Sequence, residues 1–388
     1  MTRRVLNCGY LPLADSAPLI VAQELGYAAD EGLELNLLRQ PSWAALRDLL
    51  ALGHLDAAHV LAPLPIAMTL GLSGKRMAMN ILMMLSSGGI FVGVATPLAE
   101  AMRGQGWSGD LNDPKGARAA LQSAAANQPL RVGVPFPYAM HHLLFRYWVR
   151  GTALRADVIT TPPPLMARAV AEGELDVFCV GEPWGSVAVE SGAGELVLPG
   201  GAIWQAAPEK ALAARADWVE TQPEAAGALM RAVFRSARWL DVPGNRALAI
   251  EILARTEHLD LSDAALDPSL TGRIVPRRGA PPVELENFMR FHRGATTFPW
   301  RSQAAWMGAQ IATLHGRDET RMARDAQAVM RPDLYRDVIA PLGADMPGAS
   351  AKLEGAMRYR TAVASTKGGM ILGPDAFFDG KIYEMPSI

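Results

Sequence analysis

Short apolar runs alternate with amphipathic segments along the first half of the chain. Residues 4–10 form an apolar run, 17–31 carry helical spacing, and Leu33-Glu-Leu-Asn-Leu-Leu38 alternates with a period of two. The succession continues as helix 43–52, strand 56–61, helix 65–72, strand 77–85, the loop Ser86-Ser-Gly-Gly89 and strand 90–95. Ser42 is placed to cap the second helix. Strands that alternate with helices predict a mostly parallel sheet covered on both faces.

Residues 96–129 carry no strand signal and read as a helical or loop insertion. The pattern then resumes with strand 131–137, helix 139–150, strand 157–161, helix 164–172, strand 176–181, helix 183–191 and strand 195–198. Two stretches share one skeleton, Gly-x-Leu-Asp-x-x-x-Val-x-x-Pro: Gly53-His-Leu-Asp-Ala-Ala-His-Val-Leu-Ala-Pro63 and Gly173-Glu-Leu-Asp-Val-Phe-Cys-Val-Gly-Glu-Pro183. Each follows an amphipathic segment, so each reads as helix, glycine C-cap, buried strand and proline-marked turn. The repetition predicts two similar α/β lobes. After Gly200 helical spacing dominates, over 222–240, 246–256, 282–291, 303–314 and 321–330, and residues 365–388 read as an extended, weakly ordered clasp. The expected division is residues 1–95 plus 200–388 for lobe I with a helical wrap, and 96–199 for lobe II.

A chain of 388 residues suits two lobes rather than one core. A formal charge of −2 gives no electrostatic case for a nucleic-acid or membrane surface. The two cysteines, Cys8 and Cys179, fall in apolar runs and are expected to be reduced core thiols. The longest apolar stretch is too short to span a bilayer. Met1-Thr-Arg-Arg is followed at once by the first strand, with no apolar segment and cleavage site of an export signal, so a cytoplasmic location is expected.

No nucleophile elbow, phosphate loop or zinc-protease motif occurs. The adjacent pair His141-His142 points in directions about 100° apart on a helix, which argues against a shared metal and for one pocket histidine. The chain instead offers helix starts at strand ends, near Trp43, at 137–141 and at Gly181-Glu-Pro-Trp184. Free N–H groups there suit a small anion, and open α/β sheets bind ligands beyond their strand ends.

Several segments resemble the nitrate- and bicarbonate-binding proteins of the NrtA/CmpA family. They are Pro12-Leu-Ala-Asp-Ser-Ala-Pro-Leu-Ile20, Gln40-Pro-Ser-Trp43, His59-Val-Leu-Ala-Pro63, Phe145-Arg-Tyr-Trp148, Pro162-Pro-Pro-Leu-Met166, Cys179-Val-Gly-Glu-Pro-Trp184, Pro208-Glu-Lys210 and Ala213-Ala-Arg-Ala-Asp-Trp218. The resemblance implies a type II periplasmic-binding-protein fold, with two α/β lobes around a ligand cleft and a helical C-terminal extension. It implies no enzymatic activity, no metal and no cofactor. Carried over by motif, the ligand residues are Trp43, His141, Pro164, Val180 and Lys210. Trp43 and His141 offer N–H donors, Lys210 a full positive charge, and Pro164 and Val180 shape. By the same resemblance the bicarbonate binders place an acidic residue and a metal where Lys210 stands, which favours nitrate or nitrite here. The family's loop glutamine is missing before Gly89, and Ser86 and Ser87 are its possible replacements.

Members without an export signal resemble the NasS-type nitrate/nitrite sensors. That resemblance implies a partner, the RNA-binding antiterminator of the NasT type, released when ligand binds, with no direct nucleic-acid contact by this chain. The alternative expectation is the solute-binding component of an ABC nitrate transporter whose export signal is absent from this chain.

Overall fold

The structure, a computed structural model, describes residues 3–125 and 128–387. Ten strands carry the fold: β1 Arg4–Tyr10, β2 Leu33–Arg39, β3 Ala57–Leu61, β4 Met79–Gly88, β5 Ile90–Ala95, β6 Leu130–Val134, β7 Ala156–Thr160, β8 Val177–Gly181, β9 Gly194–Pro199 and β10 Pro208–Arg215. They form two sheets. The first has the order Met289–Arg290, β4, β10, β3, β1, β2, and the second β7, β6, β8, β5, β9. β1 runs parallel to β2 and β3, while β10 runs antiparallel to β3 and β4. In the second sheet β6 is parallel to β7 and β8, and β5 is antiparallel to β8 and β9. This is the α/β architecture with two sheet-based lobes that the helix–strand rhythm predicts, but the sheets are mixed and not mostly parallel, because β10 and β5 enter them antiparallel to their neighbours.

The central strands β3 and β8 are buried on both faces, which explains their unbroken apolar runs. The two skeleton repeats are the equivalent strands β3 and β8, β3 running parallel beside β1 and β8 parallel beside β6. Gly53 ends the helix Trp43–Leu52 at φ 81°, and Ser42 caps its start by accepting from the Ala45 N–H at 3.2 Å.

Four stretches depart from the sequence reading. The region after Gly200 is not wholly helical: Pro208–Arg215 is a strand, clasped between β3 and β4. Its sequence, Pro-Glu-Lys-Ala-Leu-Ala-Ala-Arg, favours helix by propensity, and pairing on both edges overrides that preference. Residues 282–291 hold two short strands in place of a helix, Val283–Glu284 and Met289–Arg290. The expected loop at Ser86 is the end of β4, which runs on to Gly88. The helix expected over 17–31 is broken into Ala17–Glu24 and Tyr27–Asp30 by Gly26 at φ 76°.

The chain first crosses between sheets at Gly88–Gly89, so β5 pairs in the second sheet although the sequence reading closes the first lobe at residue 95. Gly88 has φ 74°, and a Cβ there would stand 2.2 Å from the Phe288 carbonyl oxygen, so only glycine fits this turn. The chain returns between β9 and β10. The segment 96–129 supplies two helices, Thr96–Gly104 and Pro114–Ala124, to the second lobe. The C-terminal stretch is extended and spans both lobes. Phe377 stacks on Trp204 at 4.8 Å, and Asp379 accepts from the Tyr147 hydroxyl at 2.9 Å on the lobe II helix Met140–Val149. No described helix is long and apolar enough to cross a membrane. Both cysteines are buried and unpaired.

Candidate functional site

Three elements of the first sheet and one helix of the second lobe converge on Lys210. β10 carries Glu209 and Lys210, β3 carries His59, and the short turn Ala14–Ser16 after β1 carries Asp15. The helix Met140–Val149 closes the group from the other lobe with His141 in its first turn. Lys210 Nζ donates to Asp15 Oδ2 at 2.7 Å and to Glu209 Oε1 at 2.8 Å. Asp15 Oδ1 meets His59 Nε2 at 2.9 Å. The Lys210 ammonium stands 5.7 Å from the Trp43 ring centroid, and that ring lies 5.6 Å from the ring of His59. Asp15, Trp43, His59, His141, Glu209 and Lys210 are each no more than 2 % exposed. A buried lysine with two carboxylates is held by charge-assisted bonds that offset the large cost of removing its charge from water.

The cluster also holds polar atoms with no hydrogen-bond partner in the protein: Trp43 Nε1, His59 Nδ1, Glu209 Oε2 and both ring nitrogens of His141. His141 Nδ1 lies 3.3 Å from Glu209 Oε1 without the alignment of a hydrogen bond. Each such atom costs about 1–3 kcal/mol when buried and unmatched. Their gathering around one ammonium makes the cluster the candidate ligand site. Gly181 forms part of the wall. A Cβ there would lie 3.6 Å from His141 Nε2, 3.9 Å from Asp15 Oδ2 and 3.2 Å from Leu13 Cδ2, so β8 presents bare backbone to the site.

Burial pushes the Asp15 carboxyl up, but Lys210 and His59 outweigh it and hold it down at about 2. Burial raises Glu209 to about 7, with Lys210 opposing and Asp15 adding to the rise. Burial lowers both histidines, His141 well below its ordinary range with the help of Lys210. Burial acts to lower Lys210, yet Asp15 and Glu209 raise it overall. The cluster therefore holds a charged lysine, a charged aspartate, neutral histidines and one carboxyl that titrates near neutrality.

Of the ligand residues expected from sequence, the structure brings Trp43, His141 and Lys210 together. Val180 is fully buried in β8, paired with Phe91 and adjacent to Gly181. Pro164 is exposed and lines a cavity of about 270 Å³ at the mouth between the lobes, with Leu11, Pro12, Arg39 and Trp184. Ser86 is opposite Lys210 in the β4–β10 pairing and buried with an unpartnered hydroxyl, while Ser87 Oγ accepts from Arg290 Nε at 3.1 Å. The adjacent histidines do separate: His142 turns away and bonds the Pro137 carbonyl at 2.9 Å. Asp15, His59 and Glu209 were not among the expected ligand residues. Their signal lay inside the resembling motifs, where Asp15 follows the first strand and Glu209 precedes Lys210. Among the described residues no cluster of three or more His, Cys, Asp or Glu has the geometry to hold a metal ion.

The lobes meet over the cluster. Trp184 Nε1 donates to the Pro12 carbonyl at 3.1 Å, and the Ala14 N–H donates to the Glu182 carbonyl at 3.1 Å. The Tyr138 hydroxyl donates to the Leu72 carbonyl at 2.7 Å and lies 3.2 Å from His315 Nε2.

Residues 2–254 match the NMT1-like family. The chain is 31 % identical to the nitrate/nitrite binding protein NrtA of Synechococcus elongatus, over 98 % of this chain and 83 % of the relative. It is 32 % identical to the nitrate import ATP-binding protein NrtC of Synechocystis, over 87 % of this chain but only 50 % of that longer protein. The bicarbonate-binding protein CmpA of Synechococcus elongatus is 27 % identical, over 99 % of this chain and 85 % of the relative. The crystal structure of the periplasmic nitrate-binding protein NrtA from Synechocystis superposes with a TM-score of 0.82 at 27 % identity, covering 98 % of this chain and 96 % of that one.

Proposed function

Since the chain belongs to the NMT1-like family, and within it to the NrtA/CmpA group of nitrate- and bicarbonate-binding proteins, we propose that it is a binding protein for nitrate or nitrite, not an enzyme, and that the anion sits in the closed cluster around Lys210. The observation that carries this reading is the buried ammonium of Lys210 among unpartnered N–H groups of Trp43 and His141. A small planar oxyanion has acceptors on every side and uses such donors at once. The unpartnered donors around Lys210 suit a ligand that brings hydrogen-bond acceptors. The test is thermal stability of the purified chain against nitrate, nitrite, bicarbonate and chloride. A ligand at about a hundred times its dissociation constant adds about 2.7 kcal/mol to the native state. Stabilisation by nitrate or nitrite alone supports the reading, and stabilisation by bicarbonate alone overturns it.

We further propose that the chain acts in the cytoplasm as a sensor of the NasS type, holding an RNA-binding antiterminator of the NasT type until the anion binds. The closed site supports coupling of this kind. A ligand reaches Lys210 only when the lobes part, so occupancy and lobe geometry are linked, and a partner that reads one reads the other. Linkage is reciprocal, so the partner weakens anion binding by the factor with which the anion weakens the partner. Equal nitrate affinity with and without the partner would sink the sensor reading. The names of the relatives, NrtC with its import ATPase among them, favour a second reading as the solute-binding component of a nitrate transporter. Nitrate-dependent dissociation of a complex with the antiterminator separates the two.

A further inference from the structure

The charges of the cluster do not leave room for an anion unless a second change accompanies it. Its one cation among the described residues, Lys210, already faces two carboxylates at 2.7 and 2.8 Å, and none of the three side chains is more than 1 % exposed. Asp15 is fixed in its charged form by Lys210 on one oxygen and His59 on the other. An oxyanion added to ionised Asp15 and ionised Glu209 would place three negative charges on one ammonium in a site closed to water. Burying uncompensated charge of that kind is prohibitively costly, and sites of this kind neutralise by taking up a proton.

The geometry points to where the proton goes. Glu209 Oε2 has no partner in the protein, and Glu209 Oε1 lies 3.3 Å from His141 Nδ1. We propose that one proton enters the site with the anion and is held at Glu209, which makes Glu209 a specificity-determining residue for oxyanions that carry no proton of their own. The proposal rests on the anion reading of this same site. A protonated Glu209 changes from an acceptor that repels the anion to a hydroxyl donor directed at it. Nitrate and nitrite have only acceptors at neutral pH and need that donor. An oxyanion with its own O–H, such as bicarbonate, carries the same charge and draws in the same proton, but it brings a donor of its own and gains less from the Glu209 hydroxyl.

The charged and titratable groups that face Glu209 come from every element around it. Lys210 lies on its own strand, Asp15 on the turn after β1, and His141 at the start of the lobe II helix, with His59 of β3 behind Asp15. Burial raises Glu209 to about 7, with Lys210 opposing the rise and Asp15 adding to it. Proton uptake therefore changes over the range where the protein is readily measured.

The experiment is calorimetric titration of the full chain with nitrate near pH 8 in two buffers of different ionisation enthalpy. The expected result is uptake of about one proton per anion, with affinity falling about tenfold per pH unit from about pH 7.5 to about pH 9. The nitrate-induced infrared difference spectrum locates the proton, because a protonated carboxyl band appears only if Glu209 or Asp15 holds it. In the E209Q variant that band and the pH dependence disappear, whatever affinity remains. Nitrate binding with no proton uptake overturns the proposal and leaves the anion reading standing. Uptake without a carboxyl band moves the proton to a histidine and overturns the assignment to Glu209. Absence of nitrate and nitrite binding at every pH removes the anion reading and this inference together.

Discussion

Lys210 and Asp15 lie 195 residues apart in the chain and meet at 2.7 Å with neither side chain exposed. The pair ties β10 to the turn after β1, so the charge that serves the ligand also serves the fold. Lys210→Ala removes the ammonium and leaves Asp15 and Glu209 buried without their counter-ion. Loss of one partner of a buried pair costs about 3–5 kcal/mol, so this variant is expected to lose anion binding and also stability, measured by urea unfolding. The double variant Asp15→Leu with Lys210→Met removes both charges, and it is expected to recover much of the stability without recovering nitrate binding. A single variant as stable as the parent would mean that the pair contributes nothing to the fold.

Trp184 and Tyr138 hold the lobes together beside the cluster, Trp184 by a hydrogen bond to the Pro12 carbonyl and Tyr138 by one to the Leu72 carbonyl, with His315 Nε2 also within reach of the Tyr138 hydroxyl. Trp184→Phe keeps an aromatic ring and removes only the donor. One such bond is worth about 0.5–1.5 kcal/mol, so nitrate affinity is expected to fall about two- to tenfold if the bond exists only when the lobes are closed. Urea unfolding of the free protein is expected to change less than affinity does. An affinity unchanged within error in both Trp184→Phe and Tyr138→Phe would show that these contacts persist when the lobes part.

Much of the two-lobed plan was legible because its strands are short apolar runs bounded by Gly and Pro, and the skeleton shared by β3 and β8 marked equivalent positions in the two sheets. β10 was illegible for the opposite reason. Its alanines favour helix locally, and only the flanking β3 and β4 make a strand of it. Lys210 was reached through the Pro-Glu-Lys motif, but nothing local showed that it is fully buried. The partners Asp15 and His59 come from distant segments, and no spacing rule joins residues brought together by folding alone. Pro164, carried over by motif, lines the cavity beside Trp184, and its position there could not be read from the turn alone.

Glu182 is a buried carboxyl outside the cluster, enclosed in lobe II, where burial raises it to about 7 against hydrogen bonds from the Ser186 N–H and hydroxyl. In the unfolded chain it titrates near 4.5. The folded state therefore binds the proton more tightly, and its contribution is fully present below about pH 4.5 and lost as pH rises to about 7. Glu182→Gln keeps the shape without the charge. It is expected to be more stable than the parent by about 1–3 kcal/mol at about pH 8, and to differ little below about pH 4. Parallel stability–pH curves for parent and variant would show that Glu182 ionises in the folded protein at its ordinary range.

Phe377 anchors the extended C-terminal stretch. It is 3 % exposed, stacks on Trp204 at 4.8 Å and lies 5.9 Å from Trp306 on the helix Arg301–Leu314. Tyr147 of the lobe II helix packs on it at 5.3 Å and bonds Asp379 two residues on. One aromatic ring thus joins lobe II to the C-terminal helices. Phe377→Ala is expected to cost about 3–5 kcal/mol in urea unfolding, the range for removing a large ring from a packed core. Tyr359→Ala, in the same stretch but 81 % exposed, is the control and is expected to change stability by less than about 0.5 kcal/mol. A loss below about 1 kcal/mol for Phe377→Ala would mean that the stretch undocks before the lobes unfold. Its grip on lobe II would then be too weak to restrain the opening that exposes Lys210.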